Sequence, residues 1–138
     1  MGRGAAGVRL GIERAEVVSR VGRPFYENQN GYMQYAPDRA NNIFDVYLDE
    51  PGAPGHVRMV IVSGGRFRIG RIDVFERGAI AHLRRRFGDR FRRARADTGE
   101  PIYRIRRRHL DRPAWTDFTI TRYGRRGLIT NVLIYFVD

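Results

Sequence analysis

"AEVVSRVGRPF" (Ala15–Phe25) and "AHLRRRFGDRF" (Ala81–Phe91) are the stretches whose reading decides the fold. Offset by 66 residues, Ala15 meets Ala81, Val17 meets Leu83, Val21 meets Phe87, Gly22 meets Gly88 and Phe25 meets Phe91. Small and apolar positions match while polar ones drift, which is the mark of a shared packing role. Val17/Val21 and Leu83/Phe87 are each four apart, so each pair lies on one face of a short helix. Val18 and Ile80 widen those stripes, and Arg84, Arg85 and Arg86 fall largely off the apolar one. Gly22 and Gly88 stand where a positive-φ residue ends a helix. Pro24 cannot continue the first one. Helices this short are marginal alone and must dock on something.

Working outward, each helix is followed by strand-like segments. After the first come "GYMQYA" (Gly31–Ala36), "IFDVYL" (Ile43–Leu48) and "VRMVIVS" (Val57–Ser63). In "IFDVYL", Phe44, Val46 and Leu48 face one way and Asp45 and Tyr47 the other. After the second come "RFRRARA", a strand turning through "DTGE", then "PIYRIRR" (Pro101–Arg107), "WTDFTITRY" (Trp115–Tyr123) and "LITNVLIYFV" (Leu128–Val137). Tyr103 and Ile105 alternate with Arg104 and Arg106, and Phe118 and Ile120 oppose Trp115 and Asp117. The expected fold is α+β. Two tandem helix-plus-antiparallel-sheet repeats, 8–68 and 69–138, share a sheet with both helices on one face, and a flexible tail spans 1–7. Half of a 138-residue chain would bury limited surface alone, which favours one continuous sheet.

The net charge is +11, and every basic side chain apart from three histidines is arginine. Lysine and cysteine are both absent, which removes a Walker A lysine, a Schiff base, disulfides and cysteine-ligated zinc. Residues 1–70 hold nine arginines against seven acids, and residues 71–138 hold seventeen against eight. Any electrostatic footprint therefore belongs to the second half. Codon usage in a GC-rich genome is the competing explanation for the arginine excess. No apolar run is long enough to span a bilayer.

"VRLGIERAEVVSRVGRPF" followed by "GYMQY" resembles a signature shared by two related groups. These are the SmpA/OmlA lipoproteins of the outer-membrane barrel-assembly machinery and the beta-lactamase-inhibitor-like fold, which has tandem copies of such a unit. "FRIGRIDVFERGAIAHLRRRFGDRF" is similar to the linking segment and second helix of the tandem form. The resemblance implies a protein-binding module of the cell envelope or exterior whose exposed sheet face is the binding surface. This chain departs from the pattern in having no lipobox cysteine and no disulfides, and in placing Glu13 and Gly78 where a Ser or Thr helix cap is expected. The opening "MGRGAAG" fits either a natural start or a chain whose leader has been removed. A natural start without a leader would shift the weight towards a cytoplasmic polyanion binder.

No catalytic residue, metal ligand or cofactor is nominated. "GRGAAG" (Gly2–Gly7) spells G-x-G-x-x-G, but only Met1 precedes it, so the strand a dinucleotide site needs is missing. His56, His82 and His109 have no ligand spacing. The candidate partner-binding residues are Tyr47, Arg104, Arg106, Trp115 and Tyr135, outward-facing positions of the types that anchor interfaces. Arginine favours an acidic protein partner. The nearly all-apolar last strand also allows a homodimer through the sheet. The alternative is polyanion binding, of nucleic acid or an anionic surface polymer, by Arg84, Arg85, Arg86, Arg92, Arg93 and Arg95.

Overall fold

The computed structural model describes residues 4–5, 7–35 and 42–138. Two helices, α1 (Arg14–Val21) and α2 (Ala79–Phe87), accompany a large antiparallel sheet. In chain order the first strands are β1 (Gly4–Ala5), β2 (Val8–Arg9), β3 (Tyr26–Glu27), β4 (Tyr32–Tyr35), β5 (Ile43–Leu48) and β6 (Val57–Ser63). Then come β7 (Arg68–Ile69), β8 (Ile72–Asp73), β9 (Arg92–Arg95), β10 (Pro101–His109), β11 (Arg112–Ile120) and β12 (Ile129–Phe136). Eight of them form one sheet in the order β3-β4-β5-β6-β12-β11-β10-β9, with β6 pairing β12 at its centre. β1–β2 and β7–β8 are separate two-stranded hairpins, one before each helix.

Alternation along the strands decides what is buried. One sheet face presents Met33, Val46, Val60, Val132, Ile134, Phe118, Tyr103 and Ile105, all sealed from solvent. Val17 of α1 and Ile80, Leu83 and Phe87 of α2 join that same cluster, with Phe67, Ile69 and Val74 from the segment around β7 and β8. Burying a Leu or Val side chain contributes about 1.5–3 kcal/mol. That docking, more than intrinsic propensity, holds helices of eight and nine residues. Neither helix has a side-chain N-cap: Glu13 and Gly78 make no capping hydrogen bond. Both stop at a glycine with positive φ, 99° at Gly22 and 55° at Gly88. Each terminal glycine N–H reaches back four residues, to Val18 and Arg84 respectively.

The strand expected over Gly31–Ala36 is β4, Tyr32–Tyr35, with Ala36 outside the described residues; the short β3 comes between it and α1. Of the tail expected over 1–7, residues 1–3 and 6 also lie outside, while Gly4 and Ala5 pair with Arg9 and Val8. β7 begins at Arg68, one residue before the expected division at 68/69. The two-residue strands carry no hydrophobic period, so pattern reading passes over them.

Candidate protein-binding face

The opposite sheet face carries the expected anchor residues. Register places six side chains in one unbroken cross-strand row. Tyr32 is opposite Tyr47, Tyr47 opposite Met59, Met59 opposite Tyr135, Tyr135 opposite Trp115, and Trp115 opposite Arg106. Spanning β4 to β10, the row is roughly 24 Å long at ~4.8 Å per strand. Tyr32 and Tyr47 stack at 4.9 Å, and Trp115 meets Tyr135 edge-on at 6.2 Å. The Arg106 guanidinium sits 4.9 Å from the Trp115 ring centre. None of the six belongs to the core cluster, and all but the exposed Arg106 are half-buried. Antiparallel sheets commonly leave one face to solvent; such a face is ordinarily polar, whereas this one is aromatic.

The neighbouring row runs Gln34, Asp45, Ile61, Leu133, Asp117, Arg104, Arg92. Arg104 makes a two-pronged ion pair with Asp117, 2.7 Å from Nε to Oδ1 and 3.0 Å from Nη2 to Oδ2. The Tyr135 hydroxyl donates to Asp117 Oδ2 at 2.8 Å. Burial, then the hydrogen bond to Asp117, raises the Tyr135 phenol above its ordinary pKa. The Arg104 guanidinium also lies 4.1 Å from the Trp115 ring. Arg104 is thus neutralised inside the protein and braces the indole, while Arg106 keeps its charge for solvent. At the other end of the row, burial and the nearby Asp45 push Tyr32 up to about 12. Tyr47 is raised for the same reasons.

The six arginines of the polyanion reading do not share one surface. Arg84 donates to the buried Tyr103 hydroxyl at 3.0 Å. Arg85 and Arg86 border a hollow with Arg71, Ile72 and His82, on the helical side. Arg92 and Arg93 instead line a cleft with Arg90, Arg104 and Arg106. Arg95 caps the Gly99 carbonyl at 2.9 Å.

The histidines are dispersed. His56 lies 3.7 Å from Asp49 and 4.0 Å from Glu13, and the His109 Nε2 lies 3.0 Å from the Leu10 carbonyl oxygen. Among the described residues no three His, Asp or Glu side chains gather as a metal site, and no helix is long and apolar enough to cross a membrane.

Sequence reading missed Met59, Tyr32 and the Arg104–Asp117 pairing. Leu110 and Asp111 form a two-residue turn with φ of 51° and 60°. Centring the β10–β11 hairpin on that turn sets Arg104 opposite Asp117 and Arg106 opposite Trp115. Leu110–Asp111 is not one of the residue pairs that mark such turns in a sequence, so the pairing had no local signal.

No protein-family model matches the chain, and no curated protein sequence does. Among solved structures, a similar arrangement occurs in a 1.5 Å crystal structure from Bacillus anthracis str. Ames, of an extracellular protein containing an SCP domain. The TM-score is 0.56 at 9% identity, over 91% of this chain and 43% of that one. At that identity the likeness concerns the fold alone.

Proposed function

We propose that this chain is a non-enzymatic protein-binding module of the cell envelope or exterior, which holds an acidic protein partner across the uncovered face of its sheet. One observation carries the reading: the unbroken row from Tyr32 to Arg106, which holds four of the five anchors expected from the sequence, with Met59 between Tyr47 and Tyr135. Tyr, Trp and Arg supply most interface energy because they bury large area at small entropic cost. The partner's acidic character follows from the net charge of +11 and from the cation at the row's end. A second copy of so basic a chain is disfavoured on that face by like-charge repulsion. The extracellular nature of the structural neighbour is compatible with a location outside the cell.

The same reading takes the chain as two tandem units, divided near residues 68 and 69. In each, a two-stranded hairpin leads to a helix and then to four sheet strands in sequence. The last strands of the two sets, β6 and β12, lie side by side. A doubled unit of this kind makes a sheet wide enough to carry a long row.

The test is partner capture by Tyr47→Ala/Trp115→Ala against Arg85→Ala/Arg86→Ala, each verified as folded by circular dichroism. The aromatic double variant is expected to lose capture at least about tenfold, and the helical-side variant to keep it. Equal capture by the aromatic variant and the native protein would overturn the reading.

The polyanion alternative names Arg84, Arg85, Arg86, Arg92, Arg93 and Arg95; of these, Arg85 and Arg86 border a hollow beside α2 with Arg71 and His82. Elution from heparin well above physiological salt, with a steep salt slope that Arg85→Ala/Arg86→Ala flattens, would transfer the function to that side.

A further inference from the structure

A cleft at the β9–β10 corner adjoins the arginine end of the row. It has a volume of ≈ 390 Å³ and is lined by Arg90, Arg92, Arg93, Arg104 and Arg106, with Asp89 the one acid. Arg104 is already paired with Asp117. Among the described residues, Arg90, Arg92, Arg93 and Arg106 have no carboxylate within salt-bridge reach. Arg92 and Arg106 share the open sheet face with Arg104, and an acidic ligand seated in the hollow relieves the repulsion among their guanidinium groups.

These side chains are held in place. Arg92 Nε donates to the Asp89 carbonyl oxygen at 2.8 Å. Arg106 lies over Trp115 at 4.9 Å on the open face, whereas Arg90 over Phe87 at 5.4 Å and Arg93 over Tyr123 at 4.7 Å are held towards the helical side. Stacking on a ring leaves the edge of a guanidinium, where its N–H donors lie, free for an oxyanion. Guanidinium forks match carboxylates two-pronged, and positioning them beforehand lowers the entropy lost on binding.

We infer that this cleft is the docking site for clustered Asp and Glu side chains of an acidic peptide segment in the partner. The inference rests on the open-face reading and deepens it. Arg106 belongs to both features, since it ends the aromatic row and lines the cleft. A polypeptide following the row outward from Tyr47 therefore passes Trp115 and delivers its next side chains among the arginines. The hollow falls within the ~300–1,000 Å³ typical of ligand pockets, more than one carboxylate group needs.

Trp115 is the single tryptophan of the chain, so its emission reports on the cleft's neighbour. The experiment titrates the full chain with capped hexaglutamate at physiological salt, reading Trp115 emission and calorimetry together. Inorganic pyrophosphate and a single-stranded DNA hexamer are the competing probes. Saturable one-to-one binding is expected, weakened about tenfold or more in Arg92→Ala/Arg106→Ala and less than about twofold in Arg85→Ala/Arg86→Ala. All four substituted residues are exposed, so the fold tolerates either pair. Equal weakening by the two variants would reduce the effect to overall charge and overturn the site, as would no saturable binding. Pyrophosphate or DNA displacing the peptide at lower concentration would assign the cleft to phosphate ligands and likewise overturn it. If hexaglutamate fails while Tyr47→Ala/Trp115→Ala still abolishes partner capture, only the cleft assignment falls; if capture survives as well, the open-face reading falls with it.

Discussion

Asp117 and Asp45 project from the same sheet face, each one strand out from the central β12–β6 pair, beside Leu133 and Ile61, which oppose each other. Their next neighbours outward differ: Asp117 faces Arg104, and Asp45 faces Gln34. Both are largely buried, at 6% and 9% exposed. Asp117 accepts three charged or phenolic hydrogen bonds, while Asp45 Oδ1 has no partner. Burial therefore raises the Asp45 carboxyl above the ordinary carboxylate range, against the hydrogen bond from Tyr32 that lowers it. A buried carboxylate is tolerable with a matched cation and costly with an amide in its place. The arginine-rich end of the face is locked, and at the tyrosine-rich end the Asp45 carboxyl has the Tyr32 hydroxyl but no paired cation among the described residues.

Breaking the locked side should give the largest effect. Arg104→Ala strands Asp117 and removes the brace under Trp115. The expected loss is about 3 kcal/mol, in line with removing one partner of a buried pair. Gln34→Ala, at the corresponding place, should cost well under ~1 kcal/mol. Urea denaturation of the two variants checks the contrast, and equal losses would mean that the ion pair is a surface contact of little consequence.

How much of this was readable beforehand depended on whether a feature lived within one strand or between two. Which side chains share a face follows from alternation, so Tyr47 with Asp45, and Trp115 with Asp117 against Phe118, were legible in "IFDVYL" and "WTDFTITRY". The helices were legible too, because a four-residue apolar spacing and a glycine stop are local. Cross-strand neighbours were not, because they depend on register. The β10–β11 register is set by Leu110–Asp111, a pair outside the Asn-Gly preference of such turns. The β6–β12 pairing that puts Met59 opposite Tyr135 joins segments about seventy residues apart with no turn to announce it.

Sharpening the comparison needs the same substitution at both aspartates. Asp45→Asn removes a desolvated charge and should stabilise the protein by about 1 kcal/mol at neutral pH. Asp117→Asn unbalances Arg104 and should destabilise it by about 2 kcal/mol. The sign at Asp45 also fixes a pH dependence. Its folded-state pKa is raised, so the folded chain binds the proton more tightly than the unfolded one. The contribution from Asp45 is therefore present below the ordinary carboxylate pKa and is lost as pH rises through the higher folded value. Thermal melts of native protein and Asp45→Asn across mildly acidic pH should converge towards low pH and separate above. Curves that stay parallel would show that Asp45 is solvated in the folded state.

The same contrast extends to the residue just before each aspartate, which turns inward. Phe44 precedes Asp45 and packs against Tyr35 at 5.6 Å between ring centres. Thr116 precedes Asp117, is fully buried between Ile105 and Ile134, and its hydroxyl has no hydrogen-bond partner. An orphaned buried hydroxyl forfeits its hydration without recompense. Thr116→Val keeps the branched shape a strand favours and removes the polar atom, so it should stabilise by about 1 kcal/mol, a rise in Tm of roughly 3–5 °C. The gain should add to that of Asp45→Asn, because the two sites lie on opposite sheet faces and share no partner. A lower Tm for Thr116→Val would mean that the hydroxyl is satisfied by an internal water, and the locked half would then hold one more polar anchor than the tyrosine-rich half.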